Sequence, residues 1–100
     1  MSREVYFSTD VESDGPIPGP HSMLSFASVA IAEGGEVLGA FSANLDLLPG
    51  AAPEPATAAF WAEHPDAFAA TRHGTRPPEV VMPEFAAWVD SVAGKPVFAG

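Results

Sequence analysis

The chain contains no cysteine and only four basic side chains, Arg3, Arg72, Arg76 and Lys95. Without cysteine, disulfides and thiolate metal sites are excluded. Thirteen acids against four bases leave a formal net charge of −9. That charge speaks against tight, nonspecific binding along a nucleic-acid backbone, which needs a basic surface. It does not exclude an enzyme that holds a strand end through bound cations, because those cations reverse the local field. In the simpler reading an acidic surface serves solubility. No apolar run approaches the length that spans a bilayer. The opening residues, MSREVYF, lack the basic and apolar regions of a signal peptide. The expectation is a soluble cytoplasmic protein with no membrane partner.

Hydrophobic residues make up 47% of the chain, enough to drive folding. One hundred residues allow a single small domain with a narrow margin of stability. Residues 4–12 read as a strand, with Val5, Phe7, Thr9 and Val11 on one face and Tyr6, Ser8, Asp10 and Glu12 on the other. Glycines and prolines make 13–21 a loop. Residues 22–32 are apolar on both faces, the pattern of a central strand. Gly34-Gly35 then predicts a tight hairpin into a third strand over 36–48. On that strand Val37, Phe41, Leu45 and Leu47 share a face.

Pro55 opens helical territory with Phe60 and Trp61 as anchors. Pro65 breaks the helix, and a short piece follows to Arg72. Pro77-Pro78 start another helix, on which Val81, Phe85, Trp88, Val89 and Val92 form one apolar stripe. Pro83 predicts an irregular first turn there. After Gly94, residues 96–100 begin a fourth strand. The expected fold is α/β with a mixed sheet: a three-stranded antiparallel meander, helices, then a strand parallel to the first.

Acids stand at 10, 12 and 14, where the first strand ends. Alternation places Asp10 and Glu12 on one face, about 6–7 Å apart at Cβ. At an effective dielectric near 20 two such charges repel by about 2–3 kcal/mol. Water can solvate both, one can stay protonated, or a cation can sit between them. Oxygen ligands without cysteine point to a hard cation, Mg²⁺ or Mn²⁺.

The stretch VYFSTDVESDG followed by MLSFASVAI resembles the first motif of the DnaQ-like, or DEDD, 3′–5′ exonucleases of the ribonuclease H-like superfamily. Their first strand ends in D-x-E-x-x-G, here Asp10, Glu12 and Gly15. The order of elements is similar to the opening half of that fold, across essentially the whole chain. The resemblance implies a metal-dependent exonuclease that hydrolyses phosphodiester bonds at the 3′ end of single-stranded or short nucleic acid, RNA or DNA. Four acids would hold two divalent ions, which activate a water and stabilise the attacking and leaving oxygens. It makes Asp10 and Glu12 catalytic metal ligands, places Gly15 against the terminal nucleotide, and gives Trp61 and His64 a part in holding terminal bases. A homodimer is compatible with this reading.

The family's second acidic motif follows the strand that begins here near Pro96, and its last motif pairs a histidine with an aspartate five positions on. The residues five positions after His21, His64 and His73 are Phe26, Ala69 and Pro78. Residues 1–100 are therefore expected to be the N-terminal part of a single exonuclease-like domain, with half of the metal cage and no general base, and inactive alone. Three rivals stand beside this reading. D-x-E-x-D-G over 10–15 fits the start of a calcium-binding loop, although His21 stands where such a loop needs glutamate and Pro16, Pro18 and Pro20 interrupt it. A second is phosphatase chemistry of the D-x-D type with an aspartyl nucleophile, although the second acid here is glutamate and Lys95 is the one lysine for a downstream motif. The third is an acidic interaction module without chemistry.

Overall fold

The computed structural model describes residues 3–17 and 19–99. Pro18, within the expected loop, and Gly100, at the end of the expected last strand, lie outside the described residues, as do Met1 and Ser2. The chain forms β1 (Glu4–Ser13), β2 (Met23–Ala32), β3 (Val37–Asn44), α1 (Pro55–Ala62), α2 (Pro65–Thr71), α3 (Pro78–Ser91) and β4 (Lys95–Ala99). The four strands make one mixed sheet in the order β3-β2-β1-β4. β1 and β3 both pair antiparallel with β2, and β4 lies parallel to β1. The mixed α/β architecture expected from the strand and helix patterns is the one formed.

β2 occupies an interior position, as its two apolar faces require. The hairpin to β3 closes through the Gly35 N–H donating to the Ala32 carbonyl at 2.8 Å, with Gly35 at φ +92°. A side chain there would be strained, which explains glycine at this turn. β3 ends at Asn44, earlier than the alternation of 36–48 predicts. Leu45 leaves the sheet to form an isolated parallel bridge with Arg76. Leu45 remains buried because it joins the core under α3 rather than the strand.

α3 runs unbroken through Pro83, so the expected irregular turn is absent. The proline removes one intrahelical bond, to the Glu79 carbonyl, on an exposed stretch of the helix. The stripe on α3 covers one sheet face. Val5, Phe7, Ala30 and Val89 form one buried cluster, with Trp88 and Val92 packed against it. Phe26, Leu45 and Val81 form a second, and Phe85 packs against both. Phe7 and Trp88 meet edge to face at 5.5 Å between centroids, and Phe26 and Phe85 do so at 5.0 Å. Such contacts add to the burial of the rings themselves.

Glu54 caps α1: its carboxylate accepts the Thr57 N–H at 2.8 Å. The Thr57 backbone N–H, then that of Ala56 and the Thr57 hydroxyl, hold Glu54 below the ordinary glutamate pKa. Among the described residues no helix is long and apolar enough to cross a membrane.

Candidate metal and nucleic-acid site

β1 pairs with β4 from Glu4↔Lys95 to Ser8↔Ala99 and with β2 as far as Ser13. An open cleft of about 570 Å³ is lined by Thr9, Asp10, Val11, Phe85, Phe98 and Ala99.

Asp10 stands opposite Ala27, and Glu12 opposite Ser25. Strand alternation puts both acids on one face, away from Val5 and Phe7, and both are exposed. Their cross-strand neighbours are small, so nothing on β2 shields the carboxylates. Among the described residues neither acid takes part in an ion pair. The third acid of the series departs from the alternation. The register shifts between Glu12 and Ser13, and Asp14 is only 6% exposed. Its Oδ1 accepts the Ser22 N–H at 2.6 Å, and its carbonyl accepts the Glu54 N–H at 2.8 Å. Asp14 therefore ties the 13–22 loop together and leaves the Asp10–Glu12 face.

Among the described residues no group of three or more histidines, aspartates or glutamates is placed to hold a metal ion. Asp10 and Glu12 alone are a donor set that fits one hard divalent cation keeping several waters, since Mg²⁺ is commonly held by one or two carboxylates.

Gly15 is buried, and its missing side chain has a local reason. A Cβ at this position would stand 2.2 Å from Cγ of His21. The His21 ring is held by Nδ1–H donating to the Ala52 carbonyl at 2.8 Å; the acceptor is a carbonyl, so Nδ1 carries the hydrogen. Trp61 is buried at 8% exposure, and its Nε1–H donates to the Ser13 carbonyl at 3.0 Å. That bond fixes α1 against the end of β1, one residue from Glu12. His64 is exposed at the start of α2, its ring centroid 4.6 Å from that of Phe60. The structure thus joins Trp61 to the acid strand and leaves His64 on an outer aromatic pair with Phe60, itself 52% exposed.

Two roles escaped the sequence reading. His21 fills the space beside Gly15, and Arg72 donates through Nη2 to the Leu24 carbonyl at 2.7 Å. Burial of its guanidinium lowers the Arg72 pKa, while Asp14 and Asp46 nearby oppose that shift. For Asp14 a signal existed: aspartate before glycine in a proline-rich loop is turn chemistry, because its side chain bonds nearby backbone.

Fold and site together define a small mixed α/β domain whose interior strand β1 carries an exposed pair of carboxylates. No family model matches the sequence, and no curated protein matches it.

Proposed function

We propose that this chain contributes the first half of the metal site of a 3′–5′ exonuclease acting on single-stranded or short nucleic acid. The observation that carries the reading is the pairing of Asp10 and Glu12. Both are exposed on one face of β1, Asp10 lines an open cleft, and no cation of the chain is paired to either among the described residues. In this reading Asp10 and Glu12 hold Mg²⁺ or Mn²⁺, and further carboxylates complete a two-ion cage. When bound, the ions supply an activated water and neutralise charge at the phosphodiester. The acidic chain meets a 3′ end through that site rather than through a basic surface. His64 and Phe60 offer an exposed aromatic surface for a base, worth about 1–3 kcal/mol per stacked base. Trp61 backs that surface and fixes α1 beside Ser13. The calcium-loop alternative is weakened because Asp14, its third ligand, is buried on the Ser22 N–H.

The test is a Mn²⁺ titration followed by NMR, with a 3′-end hydrolysis assay on 5′-labelled oligonucleotides using the protein as its own cell makes it. Paramagnetic broadening is expected at residues 10–12 and at their partners Ser25 and Ala27. Asp10→Asn is expected to remove both the broadening and hydrolysis. Broadening centred elsewhere, competition in favour of Ca²⁺, or undiminished hydrolysis by Asp10→Asn would each overturn the reading.

A further inference from the structure

A second cavity, independent of the acid pair, lies between the two short helices and the start of β2. We propose that it binds a small apolar amine, with the ammonium group on Asp14 and the hydrocarbon body against Trp61 and Phe68. Its volume is about 380 Å³, within the range of small-molecule sites. The walls are apolar and include Leu24, Leu47, Pro53 and Ala58, and Asp14 is the one ionisable residue in the lining.

Asp14 is more than nine-tenths buried. One of its oxygens is taken by the Ser22 N–H. The other has no donor among the described residues and is reached by solvent, since no buried side-chain oxygen there is left without a partner. A ligand ammonium takes the place of water on it and forms a charge-assisted hydrogen bond.

The local charge selects the sign of the ligand. Arg72 is the base whose field overlaps Asp14 and Asp46. Its guanidinium is already engaged with the Leu24 carbonyl at 2.7 Å and Thr71 Oγ1 at 3.1 Å. With Arg72 so engaged, the Asp14 carboxylate in the lining favours a cation over an anion. The rings of Trp61 and Phe68 stand with centroids 5.8 Å apart and planes at 57°, a tilted pair of apolar faces against which the hydrocarbon body packs. The net charge of −9 draws cations to the molecule.

The probe is phenethylammonium, with 2-phenylethanol as its uncharged counterpart, titrated into the ¹⁵N-labelled chain. The indole N–H of Trp61 is the reporter, and that of Trp88 is the control. The amine is expected to shift the Trp61 signal and to bind about tenfold tighter than the alcohol, the difference expected for one charge-assisted hydrogen bond. Asp14→Asn keeps an acceptor for the Ser22 N–H, and is expected to erase the difference between the two probes. Ala58→Leu, which fills the cavity while leaving Asp14 in place, is expected to abolish binding of both; it decides the matter if Asp14→Asn does not fold. Equal affinity for amine and alcohol, shifts confined to residues 10–12, or undiminished binding by Ala58→Leu would overturn the proposal.

Discussion

Replacing Gly15 by alanine places a methyl group where the His21 ring now lies, 2.2 Å from Cγ. Cγ is the root of the ring, so a turn of the imidazole does not clear the clash. The ring must leave with its bond to the Ala52 carbonyl, 2.8 Å long. Forcing an extra methyl into a packed site costs about 1–3 kcal/mol, and the lost hydrogen bond adds about 1 kcal/mol. Alanine recovers about 0.4–1 kcal/mol by restricting the unfolded chain, because Gly15 does not use a left-handed φ. The net expectation is a loss of about 2–3 kcal/mol, or roughly 10–20 °C in Tm for a domain of this size. A double-mutant cycle isolates the cause. In a His21→Ala background the same substitution is expected to be neutral or slightly stabilising, read by urea denaturation. If Gly15→Ala costs nothing in either background, or costs the same in both, the contact with His21 is not the reason for glycine at this position. Because the cycle contains no nucleic acid, it separates this packing role from any approach of a nucleotide.

Phe7→Ala removes a ring with no solvent exposure that packs on Trp88 and on Phe98. The expected cost is about 3–5 kcal/mol, a large part of the total stability of such a domain, and the urea midpoint should fall accordingly. Glu54 gives a pH dependence of known sign. Its folded-state pKa lies below the ordinary value of 4.5. The cap therefore contributes stability that is full above that value and is lost as pH falls through the lower, folded-state pKa. Glu54→Gln should flatten that part of the acid-unfolding curve, and an unchanged curve would show that the cap does not matter. Asp10→Asn and Glu12→Gln should each weaken Mn²⁺ binding without lowering Tm, since both side chains are exposed; a drop in Tm would mean that they support the fold instead.

Local periodicity carried most of the architecture. Alternation over 4–12 separated the core face of Val5 and Phe7 from the face of Asp10 and Glu12, and the helical spacing of Val81, Phe85, Trp88 and Val89 marked the side of α3 that covers the sheet. Gly34-Gly35 announced the hairpin, because a tight turn needs a residue free to take positive φ. These features depend on chemistry within a few neighbouring residues, so they are legible without a structure. Asp14 was not, since its position depends on a register shift and on Ser22, eight residues away. The same holds for Gly15, whose partner is a ring across the loop, and for Trp61, whose indole N–H meets a carbonyl 48 residues distant. Sequence alone therefore determined the elements, their faces and the pairing of two acids on one strand. Tertiary structure decided which acid is withdrawn into the interior, how β1 is flanked by β2 and β4, and what fills the space beside a missing side chain. Those outcomes come from contacts between segments remote along the chain, and their geometry exists only once the sheet and helices have packed.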